Sequence, residues 1–280
     1  MDLAVWALAF TLLPWPERRK AAAWERLQGG LEPEDPDLRE AEGAGRLRPA
    51  LEAEAAARGA RLALPGQADA DRLLALLPYP LALWVRGSLP PAGAAVAMVG
   101  SRRATAAGRD RARRWARALT EAGVGVVSGL ARGIDGAAHL GALEAGPTWG
   151  ILGSGLDHPY PPEHAGLMDR IAASGGGVIT PFPPAAPPRA WHFPRRNVLL
   201  AAWTQGVLVV EGRYASGSLV TARLALDLGR DLWVCPGAPE NPAYEGPNRL
   251  LREGAARPCL GPGDIIEDLS FDVNFLTNHP

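Results

Sequence analysis

Four short loops hold the side chains of this sequence that could act on a ligand: Gly100-Ser101-Arg102-Arg103, Ser128-Gly129-Leu130-Ala131-Arg132-Gly133, Gly153-Ser154-Gly155 and Glu211-Gly212-Arg213-Tyr214-Ala215-Ser216-Gly217-Ser218. Each follows an apolar run. Glycine and serine let the backbone approach a ligand closely, and the free N–H groups and dipole of a helix start favour an anion. Arg102, Arg132 and Arg213 stand in the same loops and can add charge-assisted bonds. The chemistry indicated is the binding of phosphate. A tight strand-to-helix turn often needs glycine for structural reasons alone, so the weight lies on four such loops falling together, three of them bearing arginine.

A fifth cluster, Phe193-Pro194-Arg195-Arg196-Asn197, opens an apolar helical stretch. Two arginines at a helix start oppose the dipole unless an anion offsets them, which leaves a phosphate contact or a solvated basic turn as readings. Tyr214 and Phe193 can serve as stacking platforms for bases or as core residues. His139 follows Asp135 by four residues, so the two can share a helix face. No nucleophile or substrate accompanies them, and a structural role at the helix start is the reading adopted. The five histidines, at 139, 158, 164, 192 and 279, form no metal-type spacing, so no metal and no cofactor are expected. Gly153-Ser154-Gly155 lacks the third glycine of a dinucleotide fingerprint, no P-loop occurs, and the single lysine is Lys20, which argues against dehydrogenases and P-loop nucleotidases.

The elements that must hold these loops are short apolar strands, expected at 95–99, 124–127, 148–152, 177–179, 206–210 and 232–235. Helical segments near 107–122, 133–145, 163–173, 195–204 and 217–228 alternate with them. Continuous Val/Ile/Leu strands between helices predict an α/β fold with a doubly wound, mostly parallel sheet. In such a sheet ligands bind beyond the carboxyl ends of the strands, where all four loops fall. The proline-rich run Pro181–Pro188 is expected to cross the sheet edge or the crevice as a loop. Residues 1–77 read as a small helical domain, 78–262 as the main domain, and 263–280 as a short C-terminal tail.

With 47% hydrophobic and 21% charged residues, the chain has material for a full core. Its net charge of −1 confines any basic surface to a local patch. Cys235 and Cys259 show no pairing or metal spacing, which suits a reducing, cytoplasmic compartment. The apolar start, Met1–Leu13, lacks a basic flank and is too short to span a bilayer, so it is read as a core helix with no membrane insertion.

Taken in order, the runs Val99–Arg102, Ser128–His139, Leu152–Asp157 with Tyr160-Pro161, Phe193–Asn197, Glu211 with Ser216–Ala222, and Pro236-Gly237 followed by Gly246–Ala255 resemble the DNA processing protein A (DprA/Smf) family. The resemblance covers about Tyr79 to Ala255. It implies an extended Rossmann-like domain that binds single-stranded DNA, forms a homodimer, protects incoming DNA and loads the RecA recombinase in natural transformation. A sterile-alpha-motif-like N-terminal domain is implied for residues 1–77. The family's binding loops carry over to Gly100, Ser101, Arg102, Gly129, Arg195, Asn197, Ser216, Gly217 and Ser218. Arg132, Gly153, Ser154, Arg196, Arg213 and Tyr214 join the expected DNA-binding set by position. Leu250 and Leu251 are candidates for the dimer interface or for the monomer core. Thr180-Pro181, Val198, Pro162 and His164 depart from the family pattern, and no room remains for a C-terminal winged-helix domain. The competing class is an enzyme, a nucleotide phosphoribohydrolase of the lysine-decarboxylase-like group. That class places a catalytic Glu just inside a helix, whereas no carboxylate occurs between Gly212 and Leu226.

Overall fold

The computed structural model describes residues 2–29, 36–77, 79, 81–91 and 94–278. Helix α1 (Leu3–Leu12) is apolar on almost every face, and such a helix is stable only when surrounded. It is surrounded by α2 (Glu17–Gly29), α3 (Pro36–Gly45) and α4 (Arg48–Ala56) and, beyond strand β1 (Arg61–Ala63), α5 (Ala68–Leu74). The Phe10 ring packs at its centre against Trp6, Trp15, Trp24 and Tyr79.

The main domain continues as β2 (Leu83–Gly87), β3 (Ala95–Val99), α6 (Ala106–Glu121), β4 (Gly125–Ser128), α7 (Ile134–Ala142), β5 (Thr148–Ile151), α8 (Ala165–Ala173), β6 (Gly177–Thr180) and α9 (His192–Ala202). It ends with β7 (Gly206–Val209), α10 (Gly217–Asp227), β8 (Asp231–Val234), α11 (Glu245–Arg252), β9 (Arg257–Pro258) and α12 (Pro262–Asn278). The strands form one sheet in the order β1-β2-β6-β5-β4-β3-β7-β8-β9. From β6 to β9 all neighbours are parallel, while β2 joins β6 and β1 joins β2 antiparallel. The six expected strands are thus present, buried on both faces as a parallel sheet requires.

Alternating strand residues build two layers. Val96, Met98, Val126 and Leu208 pack with α6 and α7, whereas Val99, Val127, Val207 and Val209 pack with α9, α10 and the N-terminal helices. The strand order reverses between β3 and β7, and the helices that follow these two strands leave to opposite faces. That divergence opens a crevice at their carboxyl ends.

One expectation changes, and one open alternative is decided. The segment from 263, read as a short tail, is the helix α12, because Ile265 and Leu269 bury themselves in the layer of Trp115 and Trp233, and Asp264 accepts from the Leu260 amide at 2.6 Å. Its last residues, 279–280, lie outside the described residues. The proline-rich run does not enter the crevice. It tucks under the loop after β5, where the Gly155 amide donates to Ala186 O at 2.8 Å and the Asp157 amide to Pro184 O at 3.0 Å.

Helices α6 and α7 cross at Gly141, where a Cβ would overlap the Arg113 carbonyl oxygen. Gly141→Ala must push the helices apart, and we expect it to lower stability by about 1–3 kcal/mol in urea unfolding.

Candidate nucleic-acid interface

The crevice between β3 and β7 encloses about 750 Å³. Val99 and Leu200 lie at its base, and its walls come from the loop Gly100–Arg103, the start of α10 at Ser216–Ser218, the loop Asn241–Ala243 and the first turns of α9. Two backbone bonds hold the base of the crevice: Ser101 N donates to Glu211 O at 2.8 Å, and Val210 N to Val99 O at 3.1 Å. The Glu211 side chain has no exposed surface. Its carboxylate accepts from the Thr105 amide at 2.9 Å and the Thr105 hydroxyl at 2.5 Å, and the same hydroxyl caps α6 by accepting from Gly108 N at 2.9 Å.

A smaller recess of about 180 Å³ adjoins the crevice, lined by Arg102, Gly129, Arg132, Tyr160 and Phe193 among others. The Phe193 ring lies between the Arg102 guanidinium, 5.0 Å from its centroid, and the Tyr160 ring at 5.5 Å. Arg132 pairs with Glu163 at the rim. Beneath the recess lie two buried charged groups, Asp135 and Arg196, both against Gly129, which has no Cβ to obstruct the guanidinium. Asp135 accepts from the amides of Gly129 at 3.1 Å and Ala131 at 3.4 Å. Burial pushes its pKa up while Arg196 pulls it down. Burial likewise lowers Arg196 to about 10, with Asp135 opposing, and its guanidinium donates to Ile151 O.

The structure brings together Gly100, Ser101, Arg102, Arg196, Asn197, Arg213, Ser216, Gly217 and Ser218 in the crevice, and Gly129 and Arg132 in the recess. It places four expected residues elsewhere. Gly153 presses on the Phe193 ring, and Ser154 is fully buried, donating to His158 O at 2.6 Å, because the loop after β5 turns toward the proline-rich run. Arg195 faces the N-terminal helices and donates to Phe10 O at 2.9 Å. Successive helical residues point about 100° apart, so Arg195 and Arg196 serve different neighbours. Tyr214 stacks outside the crevice, with the Arg249 guanidinium 3.6 Å from its ring centroid. Leu250 is buried in the chain's own core and Leu251 packs against that core.

Sequence reasoning placed Arg103 in a ligand loop without assigning it a contact, and missed Thr221 and Asn241 as lining residues. Thr221 stands one helical turn beyond Ser218, which is a usable signal, whereas nothing in the sequence marks Asn241. Asn197 and Thr221 are more than nine-tenths buried, line the crevice and have no hydrogen-bond partner among the described residues. Arg102, Arg103 and Arg213 are exposed and have no carboxylate partner among those residues.

A family model, DNA recombination-mediator protein A, matches residues 68–270. The chain belongs to this family. Protein Smf of Escherichia coli (strain K12) is 42% identical over 211 residues, covering 75% of this chain and 56% of that protein. DNA processing protein DprA of Bacillus subtilis is 36% identical over 193 residues, 68% of this chain and 64% of that one. The chain therefore spans between half and two thirds of these relatives. Among solved structures, DprA from Streptococcus pneumoniae superposes with a TM-score of 0.77 at 26% identity, covering 95% of this chain and 97% of that one. DprA from Helicobacter pylori, described for its single-stranded DNA binding mode, gives a TM-score of 0.66 at 26% identity over 75% of this chain and 96% of that one.

His139 turns away from the crevice. Its Nδ1 lies 2.9 Å from the Thr148 hydroxyl, which itself donates to Val126 O at 2.7 Å, so Nδ1 carries the proton and the buried Nε2 has no partner. Burial, helped by the charges of His164 and Arg196, lowers its pKa from 6.5 to about 3. The unfolded chain then binds the extra proton below pH 6.5. Stability should be full above that pH and fall toward pH 3 by up to about 1.4 kcal/mol per pH unit. Urea unfolding at pH 7.5 and 5, compared with His139→Gln, should show a weaker pH dependence in the variant.

Proposed function

We propose that the chain binds single-stranded DNA in this crevice and acts through it as a non-enzymatic recombination mediator, protecting incoming strands and loading RecA. The observation that carries the reading is the convergence of Arg102, Arg103 and Arg213, free of carboxylates, with the buried unpartnered side chains of Asn197 and Thr221 and the start of α10. Phosphates fit the α10 amides and the arginines. A base fits the Phe193 and Tyr160 rings, and stacking of that kind needs a base face that duplex DNA keeps hidden. The single-stranded DNA binding of the Helicobacter pylori relative supports the same reading.

An enzymatic reading finds little support. Asp135 is the carboxylate lining the crevice among the described residues, and it is buried and already accepts from two amides. Two buried free thiols fit a cytoplasmic setting, and among the described residues no helix is long and apolar enough to cross a membrane. Homodimerisation belongs to the same proposal. With Leu250 inside the core, a face on α11 would present Leu251 instead. The division at 77/78 is also proposed, with β1 as an edge strand contributed by the N-terminal domain, whereas 262/263 falls inside α12, which packs on the main domain.

In fluorescence-anisotropy titration of labelled poly-dT, we expect Arg102→Ala with Arg213→Ala to weaken binding roughly ten- to a hundredfold and to flatten the salt dependence. Arg195→Ala should instead lower the melting temperature and leave affinity nearly unchanged, since its guanidinium serves Phe10. A folded wild type that binds no single strand, or binds a blunt duplex equally well, would overturn the reading.

A further inference from the structure

The twenty residues from Ser101 to Thr120 contain seven arginines and a single carboxylate, Asp110, in a chain whose net charge is −1. Only Arg102 and Arg103 of these line the crevice. The others sit on α6, where Arg109, Arg113 and Arg117 repeat at four-residue spacing and so share one ridge of the helix. All three are exposed. The ridge starts at the crevice mouth, because the Arg109 guanidinium donates to Ala104 O at 2.6 Å, directly behind Arg103. It runs outward for about 12 Å from Arg109 to Arg117 at the rise of an α-helix.

The charges facing this ridge are few. Glu144, in the turn after α7, pairs with Arg113 and lies 3.7 Å from Arg117, and Glu121 meets Arg117 at 2.8 Å. Asp110 pairs with Arg114 at 2.9 Å on the adjacent face. Arg109 has no carboxylate partner among the described residues. Pairs this exposed are weak and give way readily to a stronger anion.

We infer that the arginine ridge of α6 is an extension of the crevice that carries the phosphates of the same single strand as it leaves the stacking site. The inference rests on the reading of the crevice as a single-strand site. It commits to that occupant because the ridge is continuous with Arg102 and Arg103 and carries a row of positive charge without an aromatic platform. It therefore suits a backbone that is already anchored by its bases elsewhere. Binding would then need a strand long enough to reach past the crevice.

The test uses the full chain and two labelled strands, of about six and about thirty thymidines, titrated by anisotropy over a range of salt. The variant is Arg109→Gln, Arg113→Gln, Arg117→Gln, checked for folding by circular dichroism. Expected are a loss of roughly tenfold or more on the long strand, a fall of about 2 in the slope of log K against log salt for three contacts, and no change on the short strand. Glu144→Gln, which frees Arg113 and leaves Arg117 paired with Glu121 alone, without removing any arginine, should tighten the long strand about threefold. Equal loss on both strands, or none on the long one, overturns the ridge and leaves the crevice reading standing. Failure of the wild type to bind either strand overturns the crevice reading, and the ridge with it. A triple variant that loses a blunt duplex but keeps the long single strand would reassign the ridge to duplex DNA and overturn the inference.

Discussion

A parallel sheet can open a crevice only where two neighbouring strands send their helices to opposite faces, and at that point the two halves of the molecule have the fewest reasons to stay together. Here Glu211 supplies the reason. Its backbone oxygen holds the loop after β3 and its carboxylate holds the first turn of α6, so the end of β7 is fastened to the element that diverges from it. Hydrogen bonds to a charged group contribute about 1.5–3 kcal/mol each when buried, and a lost partner leaves that charge without water. Arg102 and Arg103 lie between the two points that Glu211 fixes. Their position at the mouth of the crevice follows from a side chain that never reaches it.

A second buried charge relation sets the chemistry of the lining. Asp135 sits below Gly129 and holds two amides of the loop, while Arg196 offsets its charge from the opposite side. The pair therefore shapes the recess floor and leaves little negative field at the opening. Arg102 feels both members: it lies near enough to lower the pKa of Arg196 and to stabilise the ionised form of Asp135. An exposed arginine over a nearly neutral floor keeps its charge available to a ligand, whereas the same arginine over an unpaired carboxylate would be satisfied internally.

The fold was readable because its strands are short apolar runs ending in glycine and serine, a pattern with few other uses. Gly100, Ser101, Ser216 and Gly217 were readable for the same reason, since strand ends in such a sheet point to one rim. Gly153 and Ser154 carry the same local pattern, but what decides their role is the bend of their loop toward Pro184 and Ala186, a tertiary event with no local signature. Arg195 and Arg196 are adjacent in sequence and separated by one helical step in space. Which of them meets a ligand depends on where α1 docks, and Phe10 is 185 residues away. The helix over 262–278 was read as a tail because its apolar segment Asp264–Leu269 is short, and the burial of Ile265 and Leu269 against Trp115 and Trp233 is a tertiary event.

Overall charge bears on the same point. A chain of net charge −1 has no long-range field to draw a polyanion from solution, and at physiological salt any field beyond about 8 Å is screened in any case. Affinity must then come from contacts within a Debye length of the crevice mouth, where a few unpaired arginines and helix-start amides are concentrated. Such an arrangement separates affinity from attraction. Under the proposed function, regions of the surface where Arg113, Arg114 and Arg117 are matched by Glu144, Asp110 and Glu121 would add little until a strand is already anchored. Under the proposed function, stacking on Phe193 would provide that anchor without reading sequence, and selection would fall on whether a base face is exposed at all, the property that separates a single strand from a duplex.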